Sequence, residues 1–302
     1  MAETVSLYVH VPFCRRRCPY CDFYSNACPG EPPDSYPRLI EAESRRWGAA
    51  LSRAGRAVQT FFVGGGTPTV LGAGQLRRLL GSLRDSFPTS GDPEFTVECN
   101  PESLTEEKAQ VMTCLGVNRL SIGAQALDDV TLSRLGRIHS AQQVNEAVAA
   151  ARRAGFRNIN LDLLCGCPGQ SLADWTDALK CALDLSPTHL SCYCLTVEPK
   201  TTFGRLAQRG LLALPDEDAQ AEMAEATHEV LSAAGFAHYE ISNYALPGWE
   251  CRHNLRYWQG ADYLGLGPGA TSCLGGVRWQ AVARGQTTLV EGEALAPEHR
   301  LR

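Results

Sequence analysis

The sequence predicts an α/β fold: an incomplete (β/α)6, TIM-like barrel followed by a short α+β extension. Short apolar runs alternate with amphipathic stretches through about six units, and parallel strands need crossovers of that kind. Several runs end in glycine or a polar residue, as buried parallel strands do where they reach a barrel rim. The alternation stops near Pro199, short of the roughly eight units of a closed barrel. With 302 residues, 44% of them hydrophobic, the chain is long enough to bury a sizeable core. We expect residues 1–215 to form the partial barrel and residues 216–302 the extension.

Ser6–Val11 (S-L-Y-V-H-V) alternates and reads as the first strand. A Pro-rich link from Cys28 to Pro37 leads to a helix over Arg38–Ala54. Thr60–Val63 is an apolar run stopped by Gly64, Gly65 and Gly66, and Gln75–Ser86 is helical. Phe95–Cys99 is a strand, and Glu106–Leu115 a helix capped by Thr105. Asn118–Gly123 is a strand, and Ala141–Ala154 a helix stopped by Gly155. Ile159–Cys165, Leu172–Leu185 and His189–Leu195 read as strand, helix and strand. Beyond Pro199, helices are expected over Phe203–Leu211 and Asp216–Ala234, and short strands over His238–Tyr244 and Tyr263–Gly265.

The chemistry starts at Cys14-Arg-Arg-Arg-Cys18-Pro-Tyr-Cys21, directly after the first strand. A loop this short can aim three thiolates at one point, as iron–sulfur clusters and zinc require. Three ligands on a four-iron cluster leave one iron open. The alternative is part of a zinc site completed by His10 or a remote cysteine. Thirteen cysteines without a secretory leader read as reduced thiols of a cytoplasmic protein. Most of those outside the loop are small buried hydrophobes; Cys165, Cys167, Cys192 and Cys194 are also weighed as a second metal site. The net charge of -5 argues against a nucleic-acid surface, and no apolar run approaches the ~20 residues of a membrane span. Gly64, Glu98, Gln125 and Asp162 fall at or near strand C-termini, the face where barrel active sites lie.

Further motifs follow in order: Gly64-Gly-Gly-Thr-Pro-Thr69, Glu98-Cys-Asn-Pro-Glu102, Ser121-Ile-Gly-Ala-Gln125, Leu135-Gly-Arg-Ile-His139, Asn160-Leu-Asp162, Gly166-Cys-Pro-Gly-Gln170 and His253-Asn-Leu-Arg-Tyr-Trp258. Together with the C-x-x-x-C-x-x-C loop they resemble the radical S-adenosylmethionine (radical SAM) superfamily, and within it the family of oxygen-independent coproporphyrinogen III oxidases and HemW-type heme chaperones. The resemblance runs from Leu7 to about Ala270.

It implies a [4Fe–4S] cluster on Cys14, Cys18 and Cys21 that delivers one electron to SAM. It implies a SAM site built from Tyr8, Tyr20, Gly65, Gly66, Thr67, Glu98, Gln125, Arg137 and Asp162. Glu98 would accept the ribose hydroxyls, and Arg137 would hold a carboxylate. His253 would be a heme ligand. No catalytic residue is assigned. The implied cargo is heme and the implied partners are heme-accepting proteins and an electron donor, with no nucleic acid. The family continues into a further C-terminal module, so an end at Arg302 reads as a short or truncated form. Three functions are carried forward: a heme chaperone, a coproporphyrinogen III oxidase, and a zinc-stabilised barrel without radical chemistry. The oxidase pattern has a further cysteine where this chain has Phe23.

Overall fold

The computed structural model describes residues 3–281 together with Thr287 and Thr288. The last residues of the expected extension lie outside the described residues.

Six strand–helix units follow one another. β1 (Thr4–Val11) leads through a short parallel pair, β2 (Phe13–Cys14) and β3 (Asn26–Ala27), to α1 (Ser35–Arg53). β4 (Ala57–Gly65) precedes α2 (Ala73–Ser86), and β5 (Thr89–Cys99) precedes α3 (Glu106–Cys114). β6 (Arg119–Gln125) is followed by α4 (Asp129–Arg134) and α5 (Ala141–Arg153), and β7 (Asn158–Cys165) by α6 (Leu172–Asp184). β8 (His189–Cys194) is followed by α7 (Thr202–Gln208) and α8 (Glu217–Ala233). The chain then adds β9 (Ala237–His238), β10 (Asn243–Ala245), α9 (Arg252–Trp258), β11 (Tyr263–Leu266), β12 (Thr271–Leu274), β13 (Val277–Ala281) and β14 (Thr287–Thr288).

The sheet runs β14-β13-β12-β11-β1-β4-β5-β6-β7-β8-β10-β9. The stretch from β11 to β8 is wholly parallel, as the crossover pattern requires. β8 does not pair with β1, so the barrel is open. The late strands extend both of its edges, with β10 antiparallel to β8 and β11 parallel to β1. His238–Tyr244 is two antiparallel strands rather than one, because residues 239–242 turn the chain back. α4, α9, β12 and β13 were not expected. Two of them are short helices of irregular composition, and the other two are an edge hairpin.

Each barrel strand has an apolar and a polar side. On β1, Val5, Leu7, Val9 and Val11 are fully buried in the core under the helices. The same holds for Leu120 and Ile122 on β6, and for Ile159, Leu161 and Leu163 on β7. The alternate residues are polar and face the barrel interior, among them Tyr8, Glu98, Arg119, Ser121, Asn160, Asp162, His189 and Ser191. The helices present matching apolar stripes. On α2, Leu76, Leu79, Leu80 and Leu83 recur every three or four residues and are fully buried. Burial of one such leucine contributes about 1.5–3 kcal/mol. Side-chain caps fix the helix starts: Ser140 with Gln143 on α5, and Ser171 with Asp174 on α6.

Candidate functional site

The cysteine loop leaves the C-terminal end of β1 and is stapled there by backbone hydrogen bonds. The Asn26 N–H donates to Pro12 O at 2.8 Å, and the Cys28 N–H to Cys14 O at 2.7 Å. The end of β4 holds the other side, with Gly66 N–H on Val11 O at 2.8 Å and Thr67 N–H on Phe13 O at 2.7 Å. This explains the glycines. A Cβ on Gly66 would stand 2.5 Å from Phe13 O, and one on Gly65, whose φ is +108°, would stand 2.6 Å from the His10 ring. The backbones approach this closely only without side chains.

Cys14, Cys18 and Cys21 are free, partly exposed thiols lining one cleft of about 530 Å³. Burial pushes the Cys14 and Cys21 thiols above their usual range, which disfavours the bare thiolate. Two donors already point at the sulfurs. Thr67 Oγ1 donates to Cys14 Sγ at 3.6 Å, and Arg137 Nη1 donates to Cys18 Sγ at 3.3 Å. The other amino nitrogen of Arg137 donates to Asn100 Oδ1 at 2.9 Å and Gly123 O at 3.1 Å. Its Nε has no partner.

The far wall comes from the C-terminal parts of β5, β6 and β7. Glu98 Oε2 accepts the Gly65 N–H at 3.0 Å, which ties the wall to the glycine turn. Burial, and secondarily the Asp162 charge, push its carboxyl up to about 8. Asp162 accepts from Ser121 Oγ at 2.9 Å and from Asn160 Nδ2 at 2.9 Å; burial raises it too. Gln125 has φ +66°, the left-handed region that costs a non-glycine residue about 1–2 kcal/mol. A bulge produces it: the register jumps from Ile122↔Leu161 to Gln125↔Leu163, and the side chain joins the cleft. Strain retained at a cleft wall is a signature of function. Tyr20 completes the lining, 6.1 Å from the Phe203 ring.

A family model described as the radical SAM superfamily matches residues 8–182, the segment that builds this cleft. The chain belongs to that superfamily. It also belongs to the HemW family. It is 43% identical over 267 residues to the heme chaperone HemW of Escherichia coli K12, covering 88% of this chain and 69% of that protein. It is 42% identical over 275 residues to the heme chaperone HemW of Bacillus subtilis, covering 90% and 72%. Among solved structures, coproporphyrinogen III oxidase (HemN) of E. coli is similar with a TM-score of 0.79 and 25% identity, over 92% of this chain and 67% of that one.

Membership of the radical SAM superfamily implies a [4Fe–4S] cluster and SAM, and the cleft fits both. Three thiols on one short loop are the right donor set, with the sulfur-directed hydroxyl and guanidinium beside them. The zinc alternative fares worse. His10 is engaged at both ring nitrogens, with Tyr8 OH at 3.0 Å and Tyr24 O at 2.7 Å. Cys165, Cys167, Cys192 and Cys194 are engaged within the protein in part: Cys165 Sγ donates to Tyr193 O at 3.4 Å and Cys167 Sγ to Leu164 O at 3.2 Å.

Two expected residues lie elsewhere. Tyr8 does not face the cleft; it lines a second, inner chamber of about 160 Å³, which shares Glu98, Ser121, Asp162 and Tyr193 with the cleft. His253 lines the same chamber and is 2% exposed. Its Nδ1 lies 2.8 Å from Thr60 Oγ1, its Nε2 lies 3.3 Å from Tyr257 OH, and its ring lies 5.1 Å from that of Phe62. Its backbone N–H donates to buried Glu94 at 2.8 Å. His253, expected from the motif as a heme ligand, is thus a buried side chain of the inner chamber and does not line the cysteine cleft. The His-Asn-x-x-Tyr-Trp segment is α9, anchored to β4 and β5 at the barrel end away from the cysteines. Burial pushes the imidazole down to about 3, which keeps it neutral.

Sequence reasoning named Glu98 and Asp162 but missed what supports them. Asn100, Ser121, Asn160, Arg119 and Tyr193 surround the two carboxylates. The signal was there: Arg119-x-Ser121, Asn160-x-Asp162 and His189-x-Ser191 are period-two polar pairs within strands whose alternate residues are apolar.

Proposed function

We propose that this chain is a HemW-type heme chaperone whose cleft holds a [4Fe–4S] cluster and SAM. In this reading Cys14, Cys18 and Cys21 ligate the cluster. Bound there, the cluster and SAM would supply one-electron chemistry. Tyr20, Gly65, Gly66, Thr67, Glu98, Gln125, Arg137 and Asp162 bind SAM. Glu98 and Asp162 present acceptors for ribose hydroxyls, and the Gly64–Gly66 turn brings backbone close to the methionine end. Arg137, already on Cys18 Sγ, brings its positive charge to the carboxylate of the methionine end. Tyr8 acts one layer below, through the chamber shared with Glu98. The protein's task is orientation and exclusion of water. Heme is the cargo, heme-accepting proteins and an electron donor are the partners, the setting is cytoplasmic, and residues 216–302 are the family's C-terminal extension.

One observation carries this: eleven of the thirteen residues expected from the sequence line a single cleft at the C-terminal ends of parallel strands. The oxidase reading is disfavoured by Phe23, exposed at the position of the oxidase's further cysteine. The test is anaerobic reconstitution, followed by hemin titration and a coproporphyrinogen III assay with SAM and a strong reductant. We expect hemin binding and no protoporphyrinogen IX. Product over several turnovers would overturn the chaperone reading, and so would failure to bind hemin.

A further inference from the structure

The cleft lining carries further large and charged side chains beside those assigned to the cluster and SAM, one of which, Tyr193, also reaches the inner chamber. Phe23, two positions after the last cluster cysteine, is 69% exposed, and Tyr193 at the end of β8 is 40% exposed. Both line the cleft. Large exposed rings on the rim of a concave site mark an interaction surface. Arg15, Arg16 and Arg17 are all exposed beside them, and Arg16 and Arg17 also line the cleft. Among the described residues none of the three is in an ion pair. Asp22 and Glu198 line the same cleft, so the three arginines leave a small local excess of positive charge in a chain of net charge -5. Rings and guanidinium forks sharing one rim suit a flat, apolar ligand with carboxylates at one edge. Hemin has that chemistry.

We propose that hemin docks at this rim, with its macrocycle on Phe23 and Tyr193 and its propionates on Arg16 and Arg17, and not on His253. This rests on the heme-carrying reading above. An open rim suits a carrier, because cargo there can pass to an acceptor without the barrel unfolding. A site at His253 would first require breaking the contacts to Thr60, Tyr257 and Glu94.

The test is a hemin titration of the reconstituted full chain, followed in the Soret band. Phe23→Ala and the double variant Arg16→Gln, Arg17→Gln should each weaken binding about 10-fold or more, and the double variant should flatten its salt dependence. The charge-matched control Arg77→Gln, Arg78→Gln, on the exposed face of α2, should stay within about 2-fold of wild type. His253→Asn should leave the Soret maximum in place. If that variant fails to fold, the rim variants still decide, since they alter exposed side chains. Rim variants that bind like wild type overturn the proposal, as does an equal loss in the control. So does a Phe23→Ala variant that loses SAM and keeps hemin. Hemin binding that ignores the rim defeats this inference alone, whereas a wild-type chain that binds no hemin defeats the heme-carrying reading itself.

Discussion

Replacing Glu98 with Gln should stabilise the protein in alkaline solution and do little in acid. Burial beside Asp162 lifts this carboxyl from an ordinary 4.5 to about 8. The unfolded chain therefore ionises first, and the folded state binds more protons between these values. Stability falls with pH across that window and levels off above it. Linkage with these two values gives a penalty of about 1 kcal/mol at pH 5 and about 5 kcal/mol at pH 9. Glutamine keeps an oxygen for the Gly65 N–H and has no charge to desolvate. The gain from Glu98→Gln should thus be roughly 3–4 kcal/mol larger at pH 9 than at pH 5. Urea unfolding of both proteins at pH 5, 7 and 9, without SAM, measures it. A difference that does not change with pH, or a variant less stable at pH 9, would refute the electrostatic account of the cleft wall.

Other perturbations test the remaining links. Gly66→Ala forces a methyl group against Phe13 O; it should cost about 1–3 kcal/mol and lower the iron content after reconstitution. Unchanged iron loading would show that the glycine is not needed to hold the loop. Glu98→Ala should reduce SAM affinity roughly 5- to 100-fold by equilibrium dialysis while the cluster survives. Equal affinity would remove Glu98 from the SAM site. His253→Ala should lower the melting temperature, because Thr60 and Tyr257 lose a buried partner worth about 1–3 kcal/mol. An unchanged melting temperature would contradict its role as an internal anchor.

The barrel was legible because six units repeat one physical pattern, and strand ends announce themselves by glycine or a charged residue after an apolar run. Helix bounds agree within about three residues at each end, with caps such as Thr105 and Ser140 marking the starts. The cysteine spacing gave the cleft its first wall, and Glu98, Gln125 and Asp162 gave the second. The burial of His253 was not legible, for a physical reason. A short polar-aromatic motif reads the same on a surface as in a chamber, and only the tertiary placement of α9 against Thr60 and Glu94 separates the two. The depth of Tyr8 was not legible either, because alternation tells which face a side chain takes but not how deep in the barrel it lies. The late strands escaped assignment to an edge, since β10 and β11 are three and four residues long and their partners lie far away in sequence.

The central claim is that three cysteines of one loop hold a four-iron cluster. Iron and acid-labile sulfide, measured after anaerobic reconstitution of wild type and of a Cys14→Ala, Cys18→Ala variant, test it most directly. The account predicts about four irons and four sulfides per wild-type chain, and almost none in the variant. Near-stoichiometric iron in the variant, or a wild-type chain that takes up zinc but no iron–sulfur cluster, would contradict it.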